Sequence, residues 1–372
     1  SVGLQQRVEI LKALFRDARV LILDEPTAVL TPREVEELFA VLRRLAESGT
    51  AIIIITHKLE EVKSLSSRVY ILSKGEIKGE LPTQDASPSM LANLMVGREV
   101  VLELPRSASG EEDGEVIPTA PVFRIEGLSV RDARGLPALR GASLSVAAGE
   151  ILGIGGVEGN GQRELCEAVA GLIRAESGRI LFKGEDVTRH SVRRRIDAGM
   201  GYVPQDRRGS GLVLPFTVEE NLALGRSGRR PLSRAGFLDR KAFRAQADRL
   251  MSTYDIRAEG PEAPVSTLSG GNQQKVILAR EFSRDPAFLL VSQPTRGLDV
   301  GAIEYVYRQL LDLRGRGTAI LLVSMELEEL FALSDRIAVL HGGEVVFESR
   351  TAATSIPEVG EYMIRGRAAS TP

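Results

Sequence analysis

Short apolar runs alternate along the chain with stretches in which apolar residues recur at helical spacing. The runs Val20–Leu23 and Ile151–Gly155 predict strands, and Ala51–Thr56 is rich in β-branched residues, which is typical of a strand buried on both faces. The clearest helical stripe consists of Val35, Leu38, Phe39, Leu42 and Leu45. This alternation predicts an α/β fold in which helices pack on a parallel sheet.

Turn and cap signals place further elements. Thr31-Pro32 predicts the start of a helix with proline at its first position, and Ser87-Pro88 predicts another helix that ends near Gly97. Val69–Leu72 and Ile77, separated by a Lys74-Gly75 turn, predict a hairpin. We also predict strands at Val122–Val130 and Ala142–Val146, helices at Arg163–Gly171 and Val276–Phe282, and a mainly helical segment over about Asp206–Thr267.

A repeat relates the two ends of the chain. Ser1–Glu76 overlays Ser269–Glu344 at one constant offset, without a gap. One strand ends in Asp24-Glu25 in the first copy and in Ser292-Gln293 in the second, and a later strand ends in Thr56-His57 in the first copy and in Ser324-Met325 in the second. We interpret this as a duplicated module in which one copy has lost an acid pair and a histidine.

Composition limits the classes of function. A chain of 372 residues can form more than one domain, and a net charge of −2 gives no general reason to expect nucleic acid as a partner. The single cysteine, Cys166, lies on the apolar face of a predicted helix and indicates a buried structural thiol. No apolar run approaches the ~18 residues that would span a bilayer. His190 and His341 match no motif, and we expect both in loops.

The loop Gly156–Arg163 follows a predicted strand and opens a predicted helix, which is the setting of a phosphate-binding loop. The usual pattern ends in Lys and Ser or Thr. Here Gln162 removes the charge that faces the phosphates, and Arg163 replaces the hydroxyl that coordinates Mg²⁺. The skeleton of Gly156, Gly159 and Gly161 remains. A tight turn with no ligand is an equal alternative for this loop taken alone.

The segment Leu268–Lys275 is more specific. Ser269, two glycines and three amides head a predicted helix, so a hydroxyl and open backbone N–H groups could meet a phosphate. An ordinary serine cap is the alternative. The separation of Ser269 from the strand end at Ser292 equals the separation of Ser1 from Asp24, which favours a repeated functional module.

With these motifs the chain resembles the tandem nucleotide-binding subunits of ATP-binding-cassette (ABC) importers, over nearly its whole length. The resemblance implies that Asp24 helps to hold Mg²⁺, that Glu25 polarises the attacking water, and that His57 contacts the γ-phosphate. It implies that Gln205 lies in the glutamine loop that meets the membrane partner, and that Asp299 belongs to the D-loop. The implied fold is two P-loop NTPase-like ABC domains with the first incomplete.

The same resemblance implies domain bounds. Residues 1–104 would form the C-terminal part of the first ABC domain, and residues 122–350 would form a second, degenerate domain with a tail at 351–372. Residues 105–121, rich in Pro, Gly, Ser and acidic residues, would be a linker. The chain starts at Ser1 inside a motif, and we interpret it as lacking its natural N-terminus.

Head-to-tail pairing in this family implies two composite sites that bind ATP. One would join the first half's acids and His57 to the second half's signature residues Ser269, Gly270, Gly271, Asn272 and Gln273. The other would join the weakened loop Gly156–Arg163 to Ser1–Gln5, where Val2 and Leu4 depart from the pattern. One site would hydrolyse ATP and the other would be degenerate.

The implied function is an ATPase that couples ATP hydrolysis to uptake of a nucleoside or simple sugar. The implied partners are permease subunits and, through them, an extracytoplasmic solute-binding protein, with the chain at the cytoplasmic face of the membrane and no nucleic acid. Ser292-Gln293 and Met325 resemble nucleoside importers more than ribose importers. The alternative is a soluble tandem ABC ATPase that acts on the ribosome or DNA. Lacking its first phosphate loop, the chain alone is expected to hydrolyse ATP weakly.

Overall fold

A computed structural model describes residues 8, 12, 18–27, 32–56, 58–73, 75–96, 121–226, 228, 230–234 and 237–366. Contacts divide the chain into a first unit of residues 1–105 with 297–305 and a second unit of residues 106–296 with 306–372. Apart from Val8 and Lys12, residues 1–17 lie outside the described residues, and so do His57 and the predicted linker up to residue 120.

The first unit has strands β1 Val20–Asp24, β2 Ala51–Ile55, β3 Arg68–Ser73 and β4 Glu76–Pro82, and helices α1 Pro32–Glu47, α2 Leu59–Leu65 and α3 Pro88–Val96. β1 pairs in parallel with β2, and β3 forms an antiparallel hairpin with β4. The hairpin and the helix starts at Pro32 and Pro88 are therefore confirmed.

Helix α1 covers one face of the β1–β2 pair. Leu38, Phe39 and Leu42 pack with Leu21 and Leu23 in one buried cluster, as the helical stripe predicts. The side chains on the opposite face are about half exposed, namely Val20 (55%), Ile22 (62%), Ile53 (52%) and Ile55 (52%). The prediction that β2 is buried on both faces is wrong for this unit, because α1 packs on only one side of the pair.

The second unit has strands β5 Phe123–Arg131, β6 Pro137–Val146, β7 Ile151–Gly155, β8 Ser177–Phe182, β9 Glu185–Asp186, β10 Met200–Val203, β11 Ser233–Arg234, β12 Phe237–Leu238, β13 Phe288–Ser292, β14 Ala319–Val323, β15 Arg336–His341 and β16 Glu344–Arg350. Its helices are α4 Gln162–Ala170, α5 Val192–Ala198, α6 Val218–Ala223, α7 Arg240–Thr253, α8 Gly270–Phe282, α9 Val300–Gly315, α10 Leu327–Leu333 and α11 Ile356–Arg365. The first turns of α9 fall in the first unit. The prediction that residues 206–267 are mainly helical is wrong: α6, α7, a π-helix at Arg207–Gly211 and a 3-10 turn at Val265–Thr267 cover less than half of the segment, and its other described residues form loops and the β11–β12 hairpin.

Two sheets enclose the core of the second unit. Within the described residues, one sheet runs β10-β13-β14-β7-β15-β16, parallel except for the antiparallel edge strand β16. The other sheet runs β6-β5-β8-β9 and is antiparallel, a layer that the sequence did not separate from the parallel sheet. Phe123 of β5 stacks on Phe288 of β13 with ring centroids 3.9 Å apart, so the sheets meet through aromatic packing.

The repeat is visible in the element bounds. At the offset that aligns Ser1 with Ser269, the bounds of β1, α1, β2, α2, β3 and β4 coincide with those of β13, α9, β14, α10, β15 and β16, and the start of α3 coincides with that of α11. A register shift falls between Ile71 and Leu72 in one hairpin and between Val339 and Leu340 in the other. The repeated structure therefore continues past Glu76 into α3.

One loop assignment is wrong. His341 ends strand β15, and its Nδ1 lies 3.2 Å from the Met363 carbonyl oxygen, whereas His190 lies in a loop. In the described part of the chain, no helix is both long enough and apolar enough to cross a membrane.

Candidate functional site

The loop between β7 and α4 has the strand-to-helix geometry of a phosphate-binding loop. Gly159 and Gly161 have φ angles of 94° and 102°, in the left-handed region that favours glycine. A Cβ on Gly161 would lie 2.4 Å from the carbonyl oxygen of Ala138 in β6. Gly161 is therefore required by close backbone packing.

A neighbouring turn holds this loop in place. The Asn160 carbonyl accepts a hydrogen bond from Gly343 N–H (3.1 Å), and its Oδ1 accepts one from Gly342 N–H (2.9 Å). The Gly343 carbonyl in turn accepts from Arg140 N–H at 2.8 Å. Motif reading does not assign a role to Asn160, because its partners are distant in sequence, in the turn between β15 and β16.

The two substituted loop positions carry contacts of their own. Gln162 Nε2 lies over Gly156 and donates to the Val157 carbonyl at 3.1 Å. Arg163 Nε donates to Glu167 at 2.7 Å, and this contact raises the pKa of Arg163. An amide that donates into the loop and a guanidinium are both poor Mg²⁺ ligands.

The strand end beside this loop carries no carboxylate. Ser292 is buried at the end of β13, and its hydroxyl lies beside the Cys166 thiol. Burial raises the pKa of Cys166 to about 12, and the Ser292 hydroxyl opposes this only in part. Cys166 is the buried structural thiol that the sequence predicts. Gln293 follows with φ 44°, and its N–H donates to the Val323 carbonyl at 2.8 Å.

The first unit places its acids at the matching strand end. Asp24 is the exposed last residue of β1. Glu25 has φ 45°, and its N–H donates to the Ile55 carbonyl at 2.8 Å. Two adjacent carboxylates at the carboxyl end of a parallel strand fit a Mg²⁺-nucleotide complex, in contrast to Ser292-Gln293. Among the described residues, no cluster of three or more His, Cys, Asp or Glu side chains forms a metal site by itself.

The signature segment heads helix α8. Ser269 Oγ accepts from Asn272 N–H at 3.4 Å and from Asn272 Nδ2 at 3.1 Å, so the serine does cap the helix. Gly270, Gly271 and Asn272 remain half-exposed, whereas Gln273 is buried and donates through Nε2 to the Val265 carbonyl at 3.2 Å. The exposed part of the motif, through Asn272, is available to a ligand, and the Gln273 side chain supports the preceding turn instead.

Two other predicted residues lie in different parts of the fold. Gln205 is half-buried and follows β10. Asp299 caps helix α9 by accepting from Ala302 N–H at 2.9 Å. Pro204, next to Gln205, lines a cavity of ≈ 360 Å³ together with Met200, Arg280 and Arg284. The sequence did not predict this cavity.

Comparison with known proteins identifies the family. The model for "ABC transporter" domains matches residues 139–296. The chain is 44% identical over 366 residues to the nucleoside import ATP-binding protein NupA of Lactococcus lactis subsp. cremoris, covering 98% of this chain and 71% of that protein. It is 45% identical to the guanosine import ATP-binding protein NupO of Bacillus subtilis, covering 98% and 70% of the two chains. It is also 45% identical to a glucose import ATP-binding protein of Haloferax volcanii, covering 98% and 66%.

Solved structures agree on the fold. A nucleotide-free ATP-binding cassette from an ABC transporter superposes with a TM-score of 0.54 at 23% identity, covering 62% of this chain and 92% of that one. A dimeric cassette with ADP and Pi bound superposes with a TM-score of 0.53 at 21% identity, covering 62% and 98%. The nucleotide-binding fold is thus the α/β fold of ABC ATPases. This chain belongs to the ABC transporter family, among its import ATP-binding proteins.

Proposed function

We propose that the chain is the ATP-hydrolysing subunit of an ABC import system that couples ATP hydrolysis to uptake of a nucleoside or simple sugar. The observation that carries this proposal is the paired strand ends, where the same backbone presents Asp24-Glu25 in one unit and Ser292-Gln293 in the other. Relatives that import a nucleoside, guanosine and glucose are about equally similar to it, so sequence identity supports the solute class and not a single solute.

The first unit is, in this proposal, the C-terminal part of an ABC domain that resembles the second unit. The exposed residues Val20, Ile22, Ile53 and Ile55 correspond in the repeat to Phe288, Leu290, Leu321 and Val323, which are all buried. In the second unit these four side chains pack in a cluster with β5, β6, β8 and α4. The open face is therefore complementary to a segment equivalent to residues 122–200. The proposed bounds are 1–104, a linker at 105–121, 122–350 and a tail at 351–372.

We assign hydrolysis to a composite site that combines both units. Glu25 accepts a proton from the attacking water, and His57 assists at the γ-phosphate. Ser269, Gly270 and Gly271 supply a hydroxyl and backbone N–H groups from the N-terminus of α8. Asp24 holds Mg²⁺, which neutralises phosphate charge when it is bound. Asn272 lines the same surface, whereas Gln273 acts by holding the turn at Val265.

The second composite site is degenerate in this proposal. Gln162 brings no charge to phosphate, Ser292 brings none to Mg²⁺, and Gln293 is not a base. Gly156, Gly159 and Gly161 keep a loop that could hold nucleotide weakly, with Arg163 as its only cation. Because these substitutions affect different roles, each of them by itself would lower turnover at this site.

The cavity beside Gln205 is the surface that we assign to the permease subunits. It lies against β10 and the π-helix, and the largely buried side chains of Arg280 and Arg284 line it beside apolar residues. Glu281 pairs with both arginines at 2.8 and 3.0 Å, so the charges lining the cavity are held rigidly. The solute-binding protein would act through the permease, and the chain would sit at the cytoplasmic face of the membrane.

Uptake measurements test this function. A strain that lacks the gene should take up radiolabelled nucleosides or simple sugars poorly, and the complete wild-type gene should restore uptake of one of these classes. The Glu25→Gln gene should not restore it, whereas Gln293→Glu should behave as wild type. Normal uptake of every tested solute in the deletion strain, together with co-purification of the protein with ribosomes, would instead support the soluble alternative.

A further inference from the structure

A buried carboxyl in the first unit joins the two segments that carry the proposed catalytic groups. Glu61, in helix α2, is buried at 9% exposure. Its Oε1 accepts a hydrogen bond from Thr27 Oγ1, and its Oε2 accepts one from Thr56 Oγ1 at 2.9 Å. Thr27 is itself only 2% exposed. A buried carboxylate needs such partners, and here both oxygens have one.

The two threonines flank the reactive positions. Thr27 lies just beyond Glu25, separated from it by one proline, and Thr56 lies immediately before position 57. Thr56 Oγ1 also accepts from Lys58 N–H at 3.0 Å, which fixes the chain on the far side of position 57. With the bond from Glu25 N–H to the Ile55 carbonyl, the turn after β1 and the end of β2 are held together by backbone and side-chain bonds.

The second unit keeps only part of this arrangement. Glu329, which is 1% exposed, accepts from Thr295 Oγ1 at 2.8 Å. Ser324 replaces Thr56, and its Oγ accepts from Glu326 N–H at 3.1 Å. The Ser324 hydroxyl lies near the carboxyl and opposes the rise of the Glu329 pKa, but among the described residues Glu329 Oε2 has no partner in standard hydrogen-bond geometry. The second well-formed bond is therefore missing in the unit that has lost its acids.

We propose that Glu61 is a positioning residue for hydrolysis, which holds the turn that carries Glu25 against the end of β2 through Thr27 and Thr56. This inference rests on the proposed function, because it assumes that Glu25 acts on the attacking water. Charged hydrogen bonds to a buried carboxylate are stronger and more directional than neutral ones. Small displacements of a reacting group lower the rate steeply, so loss of this link should reduce the chemical step and leave nucleotide contacts intact.

Glu61→Gln in the complete gene product tests the inference by steady-state ATPase kinetics. The variant keeps the shape of the side chain but places an amide donor against a hydroxyl donor. We expect kcat to fall by about tenfold or more while KM for ATP stays within about twofold. Glu329→Gln is the matched control, because it makes the same change in the unit without acids. We expect its kcat to equal that of wild type.

Threonine variants keep the test decisive if Glu61→Gln folds poorly. Thr27→Val and Thr56→Val should each lower kcat, and Thr27→Ser, which keeps the hydroxyl, should restore it. The double variant Thr27→Val with Glu61→Gln should have a kcat close to that of Glu61→Gln alone, since both substitutions break the same hydrogen bond.

The outcomes separate this inference from the proposed function. Full ATPase activity in Glu25→Gln would overturn the proposed function itself. An inactive Glu25→Gln together with an unchanged kcat in Glu61→Gln and Thr27→Val would overturn only the positioning role. An equal loss of kcat in Glu61→Gln and Glu329→Gln would also overturn it, because the carboxyl would then serve only the fold.

Discussion

Glu25 and Gln293 occupy the same left-handed backbone conformation, with φ angles of 45° and 44°. Each follows the last residue of a parallel strand, and each N–H donates at 2.8 Å to a carbonyl on the neighbouring strand, that of Ile55 or Val323. A non-glycine residue in this region costs about 1 kcal/mol or more. Gln293 adopts this conformation without a carboxylate, so the turn belongs to the fold of the module, and the side chain distinguishes the two copies at this position.

The first prediction follows from this pair. In the complete gene product, Glu25→Gln should lower the ATPase rate by about 100-fold or more, because general-base catalysis contributes on that order. The reverse change, Gln293→Glu, should leave the rate within about twofold, since Ser292 and Gln162 would still fail to support a metal and a phosphate. Both rates can be measured by phosphate release. A large gain of activity in Gln293→Glu would show that the second site is not degenerate.

The phosphate loop gives a matched pair of glycine variants. Gly161→Ala should lower the free energy of unfolding by about 3 kcal/mol, because its Cβ would meet the Ala138 carbonyl in addition to the cost of positive φ. A Cβ on Gly159 would have no atom within 4 Å, so Gly159→Ala should lower the free energy of unfolding by only about 1 kcal/mol, the cost of its positive φ. Urea unfolding of this chain measures both. Equal costs would mean that β6 does not confine the loop at Gly161.

Restoring the loop's lysine should change binding but not chemistry. Gln162→Lys should tighten ATP binding to this chain by about tenfold, because a cation replaces an amide that donates to Val157. ATP hydrolysis should not rise, since Ser292 and Gln293 are unchanged. Equilibrium binding of a fluorescent ATP analogue is the measurement, with Gln162→Met as the control without charge. Unchanged affinity in Gln162→Lys would indicate that the loop does not bind phosphate.

Glu329 makes stability depend on pH. Burial raises the pKa of Glu329 from 4.5 to about 7. Between these values the folded state keeps a proton that the unfolded state releases. The contribution of Glu329 to the free energy of unfolding is therefore fully present below pH 4.5 and is lost as the pH rises through 7. The loss amounts to about 3 kcal/mol. Denaturant unfolding of wild type and Glu329→Gln at pH 4.5 and pH 8 measures this effect. Between the two pH values, the free energy of unfolding of Glu329→Gln should rise relative to that of wild type by about this amount. A difference that does not change with pH would contradict the shifted pKa.

The exposed face of the β1–β2 pair gives a test of the domain proposal. In this chain Leu321→Thr should cost about 3 kcal/mol, because Leu321 is fully buried, whereas Ile53→Thr at the equivalent position should cost less than about 1 kcal/mol. In the complete gene product, the cost of Ile53→Thr should approach that of Leu321→Thr. If Ile53→Thr costs less than about 1 kcal/mol in the complete gene product as well as in this chain, no further segment covers this face.

Much of the local structure could be predicted from the sequence, because the signals are local. The strand at Val20, the helix start at Pro32 and the stripe through Leu38 and Leu42 depend on residues a few positions apart. The glycine loop after β7 was found in the same way. The constant offset between the two copies then related the elements of the two units.

The remaining features depend on contacts between distant segments. The exposure of Ile53 depends on which strands and helices cover β2, and an apolar run does not encode that. Asn160 acquires its role from a turn near Gly343, and Gln273 is buried against Val265 although its motif predicts a ligand contact. Glu61 and Glu329 belong to no motif that sequence analysis singles out. The offset could have singled them out, because both copies keep this glutamate beside strand ends whose other polar residues differ.

A structure of the complete Glu25→Gln protein with ATP and Mg²⁺ tests cross-pairing of the two units most directly. The proposal predicts a γ-phosphate oxygen within hydrogen-bond distance, about 3 Å, of Ser269 Oγ, with the attacking water at the side chain of position 25. An ATP molecule that contacts position 25 but lies far from Ser269, or one that is bound only at Gly156–Arg163, would contradict it.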